Sequence, residues 1–277
     1  TLMTAKLQAK IYRFAVYAGA VFSVGVLIAI VGYILFKGVP HLKPDLFAWE
    51  YNSTNVSMTP AIVNTVLMTL IALVICVPLG IGAAIWLTEY AKRGSGLVKI
   101  VRMTAETLAG IPSIIYGLFG ALFFVVALNM KLSLISGALT LSMMVLPTVM
   151  RTTEEALLAV PDSYREGSFG LGAGRLRTTF KVVLPSAVPG ILSGVILAVG
   201  RIVGETAALI YTAGTVAKVP DSLLDSTRTL AVHMYTISTE GLYIDQSYAT
   251  AVVLLVVVLG INALSTFIAK RIGRRTV

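Results

Sequence analysis

Six stretches of this chain are apolar for long enough to cross a bilayer, and one of them carries two charges near its middle. A helix needs about 20 consecutive apolar residues to span the hydrocarbon. Uncharged runs of that order lie at 14–36, 51–88, 107–130, 132–150 and 246–269. The second run is too long for one span. Its polar start (Asn52, Ser53, Thr54, Asn55) and Pro60 place the beginning of the helix near Ala61. The remaining span is 190–213, which contains Arg201 and Glu205. Hydrophobic residues make up 57% of the 277 residues and charged residues 13%, too few charges to solvate a large water-facing surface. The expectation is an all-α integral membrane protein of six transmembrane helices, one domain over 1–277, with no internal repeat and no linker.

A charge at bilayer depth costs a few kcal/mol or more and normally faces a bundle interior or a polar pathway. Read as one helix, 190–213 puts Arg201 and Glu205 four residues apart, on one face and able to pair. That pair is the first candidate for a site on a transport path. The structural alternative is a buried ion pair that only fixes helix packing.

Six spans put both termini on one side, and Lys and Arg decide which. With the N-terminus inside, 16 of the 22 basic residues fall in inside segments, among them Lys92, Arg93, Arg102, Arg151, Arg165, Arg175, Arg274 and Arg275; five fall outside, and Arg201 lies within a span. The net charge of +9 therefore reflects orientation. Basic residues dispersed along membrane edges do not make a nucleic-acid surface. The first apolar run exceeds a signal-peptide core in length and reads as a retained span. Trp86 and Tyr90 fit an inner aromatic belt, and Trp49 and Tyr51 an outer one. Pro78 reads as a bend inside the second span, tolerated where neighbours satisfy the freed carbonyl.

Cys76 is the single cysteine, so no intrachain disulfide can form. His41 and His233 read as solvated loop residues, and with one cysteine they offer no metal-ligand cluster. No Gly-x4-Gly-Lys-Ser/Thr phosphate loop occurs. The glycines at 170, 172 and 174 lack the lysine. The chain shows no ATPase site of its own and no paired catalytic carboxylates or Ser/His arrangement, so an enzyme is not expected.

The inside loop at about 151–185 is long for a connection in a compact domain. Ser163 and Glu166 read as a capping box opening a short helix, which would stop at the glycines 170–174. A second short basic helix, 175–183, would lead to Pro185. Two readings are open: an element that docks a partner, or a helix lying on the headgroups. Arg151 and Glu154, at the inner end of the fourth span, read either as an inner gate or exit site or as caps of that helix. Ser113 follows Pro112, a residue suited to a first helical turn. A helix restarting there could turn free N–H groups toward an anion.

In this loop the residues resemble a family. Glu166-Gly167-Ser168, three residues, Gly172, nine residues, then Val182-Val183-Leu184-Pro185 is similar to the Glu-Ala-Ala…Gly…Ile-x-Leu-Pro signature of ABC importer permease subunits. Spacing is kept, with Gly167 and Ser168 for the two alanines and Val182 for isoleucine. Further stretches narrow the likeness to the phosphate importer permeases, the PstA type: Pro78 to Ala91, Ala109-Gly110-Ile111-Pro112-Ser113-Ile114-Ile115-Tyr116-Gly117, Arg151-Thr152-Thr153-Glu154, and Arg201-Ile202-Val203-Gly204-Glu205-Thr206-Ala207. The resemblance covers about 61–213.

It implies a type I, MetI-like fold. It also implies ATPase coupling through Glu166, Gly167, Ser168, Gly172, Leu184 and Pro185, and a substrate pathway past Arg201, Glu205, Arg151, Glu154 and Ser113. The implied partners are a homologous second permease subunit, a dimer of ATP-binding cassette subunits and an extracytoplasmic phosphate-binding protein, with membrane lipid around and no nucleic acid. The chain itself would hold no cofactor, since ATP binds the partners. Its place would be the cytoplasmic membrane of a prokaryote, multi-pass, with both termini cytoplasmic. The alternatives are another oxyanion such as sulfate or molybdate, a six-helix channel, or a secondary carrier.

Overall fold

The computed structural model describes residues 2–92 and 94–273, without the side chains of 2–7, 272 and 273. The expectations for Thr1, Arg93, Arg274, Arg275 and Val277 lie outside the described residues. Among the described residues all regular structure is helical. Five helices are long and apolar enough to cross a membrane, and a sixth span arises if one sharply bent pair is counted as one.

α1 (Leu2–Gly38) is apolar on every side, and its spanning window is wholly unburied; it touches the bundle mainly through α11. A helix apolar all round belongs in lipid. α2 (Thr59–Ile85) starts two residues before the expected Ala61, with Pro60 in its first turn. It carries Pro78 inside and ends in a wide turn over Trp86–Tyr90.

The third expected span, 107–130, is not one helix. α3 (Gly96–Ala109) and α4 (Ser113–Gly120, continued as a wide helical turn to Ala127) meet at 102°. Pro112 lacks an N–H and forces the preceding residue out of the helical region, which breaks the ladder. The Tyr116 hydroxyl then donates to the Leu108 carbonyl at 2.8 Å, satisfying a group the break sets free. α3 keeps Lys99, Arg102 and Glu106 out of the apolar layer by lying across the bundle end.

α5 (Leu134–Leu158) is the central helix: two thirds of its spanning window is buried, against α2, α3, α4 and α8. Its Met144, Val145 and Val149 join Met68, Ala72, Ala198, Ile202 and Leu209 in the main core. α6 (Asp162–Gly170) and α7 (Arg175–Thr178) form the long connection expected on the inner side. The proposed capping box is corrected. Pro161 occupies the N-cap and the helix begins at Asp162, so Ser163 lies inside the first turn. The expected stop is found, with Gly172 at φ +81°, a left-handed conformation that glycine adopts without steric cost. The second short helix does not end at Pro185. It runs through a wide turn at Thr179–Val183 into α8 (Leu184–Val203), where Pro185 sits in the first turn and needs no donor.

The fifth span is also broken. α8 ends at Val203, Gly204 and Glu205 are not helical, and α9 (Ala207–Thr212) follows. α10 (Leu230–Thr239) lies within the long connection expected on the outer side, and α11 (Ile244–Gly273) closes the bundle.

Long-range hydrogen bonds sort the two ends of the bundle. Asn64 donates to the carbonyls of Lys218 and Arg228, Leu230 N donates to the Thr65 hydroxyl, and Leu134 N donates to the Asp225 carbonyl at 2.9 Å. The segments expected outside therefore meet one another.

His233 departs from its expected place. It is fully buried in α10, edge-on to Tyr51 at 6.0 Å, and the Arg228 guanidinium lies 4.7 Å over the other partner, the Tyr51 ring. Burial, and next the Arg228 charge, push its pKa down to about 3, opposed only by the Val56 backbone. The unfolded chain binds that proton near pH 6.5. The resulting stability is fully present above about pH 6.5 and is lost as pH falls from there toward 3. We expect the thermal midpoint of the purified protein to drop between pH 7.5 and 5, and to drop at most half as far in His233→Phe; equal slopes would contradict this.

Candidate functional site

Arg201 stands one turn before the break in the fifth span. It is half-buried and lines a cavity of about 500 Å³ between α5, α8 and α11, together with Thr148, Ser193, Leu197, Gly200 and Asn262. None of the lining residues is acidic. Among the described residues no carboxylate comes within 4.0 Å of its guanidinium. The expected ion pair with Glu205 is thus corrected. The physical reason is Gly204: the helix stops there, and Glu205 is turned away from the face that Arg201 occupies.

Glu205 has a different partner. It is buried, and its Oε1 accepts from the Ala208 N–H at 3.0 Å, capping the first turn of α9. A carboxylate there meets a free donor and the positive end of the helix dipole. The same break lets α9 approach α4 closely. A Cβ on Gly117 would stand 2.7 Å from the Ala208 Cα, so only glycine fits that crossing. Ser113 is the first residue of α4, as the sequence suggested, and is partly exposed at the bend. The structure brings Glu205 and Ser113 to the neighbouring α9–α4 crossing; the cavity around Arg201 does not include either of them.

Arg151 and Glu154 lie together at the inner end of α5 but pair elsewhere. Glu154, almost buried, receives Arg102 of α3 at 2.6 Å. Arg151 reaches Glu155 at 3.2 Å and Glu106 at 4.0 Å, all largely exposed. A small cavity of about 190 Å³ opens among Arg102, Glu106, Arg151, Glu154 and Glu155. The arrangement is a charged rim that ties α3 to α5.

The inner connection is held by a residue that charge counting alone treated as a membrane-edge cation. Arg165 of α6 points inward. Its Nη2 lies 2.8 Å from Glu89 Oε1, at the end of α2. The same guanidinium donates to the carbonyls of Val160 at 2.8 Å and Leu157 at 3.0 Å. Both carbonyls lie at the C-terminal end of α5, where the last acceptors run short of helical donors; Leu157 also accepts from the Val160 N–H at 3.3 Å. One side chain thus joins α2, α5 and α6, with Arg165 and Glu89 at 14% and 8% exposure. The signal was available in Glu89, a lone carboxylate at the end of an apolar run, which requires a cation.

Ser168 turns inward and shares a 2.8 Å hydrogen bond with Thr178, clamping α6 on α7. Glu166, Gly167 and Gly172 are exposed, while Leu184 and Pro185 are partly covered at the start of α8. Around them Tyr164, Phe169, Leu171, Leu176 and Phe180 leave large apolar surface uncovered, Leu171 at 90%. An apolar surface of this kind at a membrane edge marks a contact region.

Known proteins share this architecture. Residues 76–277 match the binding-protein-dependent transport system inner membrane component. A probable ABC transporter permease protein, YqgI of Bacillus subtilis, is 33% identical over 79% of this chain and 80% of its own length. The phosphate transport system permease protein PstA of Mycobacterium leprae is 34% identical over 76% of this chain and 71% of its own. Among solved structures, the bacterial alginate ABC transporter in complex with an alginate-bound periplasmic protein superposes with TM-score 0.69 at 16% identity, covering 95% of this chain and 97% of that one. The MetNI methionine ABC transporter gives TM-score 0.56 at 21% identity, over 79% and 93%. At such identities the likeness is one of fold, the type I importer permease. With the family match over most of its length, this chain belongs to the binding-protein-dependent transport system inner membrane components.

Proposed function

We propose that the chain is a permease subunit of an ATP-driven importer of inorganic phosphate. The observation that carries this reading is Arg201: an uncompensated guanidinium in a cavity within the spans, in a chain whose relatives include phosphate transport system permeases at 34–39% identity. A guanidinium keeps its charge and offers a planar fork of donors that suits phosphate oxygens. The break at Gly204 supports alternating access, because α8 and α9 can change angle there while the Glu205 cap keeps α9 helical.

In this reading the exposed face of α6 and α7 docks a dimer of ATP-binding subunits, and Arg165 transmits their motion to the ends of α2 and α5. A second, homologous permease completes the path. An extracytoplasmic phosphate-binding protein delivers substrate to the outer connection, whose sequence carries Asp221, Asp225, Glu240 and Asp245. The charge asymmetry supports both termini lying in the cytoplasm. Sulfate and molybdate carriers, channels and secondary carriers are the competing readings; a channel or carrier has no need of the exposed docking face.

The test is purification with partner subunits and reconstitution. Phosphate with its binding protein should raise ATP hydrolysis severalfold, and sulfate should not. In the same preparation a cysteine replacing Leu171 should label from inside and one replacing Leu242 from outside, both in a Cys76→Ser background. Equal stimulation by sulfate, or reversed labelling, would contradict the substrate or the orientation.

A further inference from the structure

Besides Thr148 and Ser193, the cavity at Arg201 is lined by a polar residue that sequence reasoning passed over. Asn262 interrupts the apolar run of α11 and reaches over Gly200, the neighbour of Arg201. A Cβ on Gly200 would be 3.7 Å from Asn262 Oδ1 and 3.9 Å from Nδ2. The Oδ1 atom is buried and has no hydrogen-bond partner. An amide oxygen withdrawn from water without a donor is costly, and within a membrane the unfolded segment offers no water to compensate. Helix α11 therefore presents an acceptor that waits for a donor, beside a cation that waits for an anion.

Few small solutes carry both. At neutral pH phosphate is a mixture of its monoanion and dianion, and each keeps at least one P–OH. Sulfate and molybdate carry no such hydrogen. The unprotonated oxygens suit the Arg201 fork, and a P–OH suits an amide oxygen. A bare oxyanion placed in the same way would set one of its oxygens against Oδ1, acceptor against acceptor. Selectivity of this kind is steep, because a site built around one hydrogen bond leaves its polar group unpaired when the analogue lacks the hydrogen.

We propose that Asn262 is a second ligand of the transported anion: a rotation of its amide turns Oδ1, closed to water in this state, into the cavity, where it accepts the hydroxyl hydrogen of phosphate held on Arg201, and Asn262 is so the residue by which this subunit separates phosphate from unprotonated oxyanions. The proposal rests on the reading of Arg201 as an oxyanion ligand, and the experiment separates the two. Ser193 is exposed and lines the same cavity. A Ser193→Cys substitution in a Cys76→Ser background gives a thiol whose modification reports occupancy without the binding protein. The assembled complex is titrated with inorganic phosphate and with sulfate at pH 7, and the half-protecting concentrations are compared.

With Asn262 in place phosphate should protect at a concentration at least tenfold below that of sulfate. In Asn262→Leu the ratio should fall to within about threefold, through loss of phosphate protection; Asn262→Ala is read in the same way should the leucine variant not assemble. A ratio that stays tenfold in these variants, while Arg201→Gln abolishes protection by both anions, would overturn the role of Asn262 alone. Undiminished protection in Arg201→Gln, or none by either anion in the parent, would overturn the underlying reading as well.

Discussion

Arg165→Met should leave the protein inserted but loosen the inner connection, with the largest loss of stability of any single change outside the spans. Methionine keeps much of the stem volume and removes the guanidinium. Glu89 is then a buried carboxylate without a cation, the Val160 carbonyl loses its donor and the Leu157 carbonyl keeps only the Val160 N–H. Breaking one side of a buried pair costs about 3–5 kcal/mol. Glu89→Gln should be milder, since an amide oxygen still accepts and Arg165 keeps both carbonyls. If α6 conveys force from the ATP-binding partners, the assembled Arg165→Met complex should also lose most of its substrate-stimulated ATP hydrolysis, about tenfold, with basal hydrolysis retained. Thermal midpoints and proteolysis within 161–174 measure the first effect, and ATPase assays the second. Unchanged proteolysis and full stimulation would show that the triple junction is dispensable.

Arg201→Gln should abolish phosphate uptake without unfolding the chain. The reasoning differs from that for a buried pair. No carboxylate lies within 4.0 Å of Arg201 among the described residues, so its removal strands no anion. Glutamine fills similar space in a cavity open enough to admit water. What is lost is the fixed positive charge and its forked donors, and Arg201→Lys, which restores only the charge, should recover a small part of uptake. Glu205 supplies the control. Glu205→Gln retains an oxygen for the Ala208 N–H and should transport nearly normally, whereas Glu205→Ala removes the cap at a cost of about 1 kcal/mol. Were Glu205 acting through Arg201, both Glu205 variants would fail alike.

The spans were legible because lipid demands long apolar runs: 14–36 and 246–269 fall within helices, and 132–150 does so from Leu134 onward. What the apolar runs conceal is where a span bends. The restart at Ser113 is legible in Pro112, although composition alone joins 107–130 into one span; the break at Gly204 went unread. Gly110-Ile111-Pro112 contains a helix stop that hydropathy ignores. Gly204 ends the helix between two charges whose spacing of four suggested a pair. Spacing locates partners only while the helix continues.

The turn that the glycines 170–174 were expected to make is found, and the one at 172 follows from glycine's freedom at positive φ. The inward side of that loop was not legible. Arg165 sits 76 residues from Glu89, and nothing local joins them. His233 reads as a loop residue because it falls between two spans. Its burial depends on α10 packing on α2 and α11, a tertiary fact. Asn262 stood in plain view as one polar residue in an apolar helix, and only the cavity at Arg201 gives it a neighbour.

The most direct measurement is uptake of labelled phosphate into proteoliposomes holding the full complex, with the binding protein and ATP supplied, comparing the native chain with Arg201→Gln. Assembly and basal ATP hydrolysis are measured on the same vesicles. The account predicts an assembled Arg201→Gln complex that hydrolyses ATP at the basal rate and takes up phosphate at less than about one hundredth of the native rate. Uptake near the native rate by that assembled complex would contradict it.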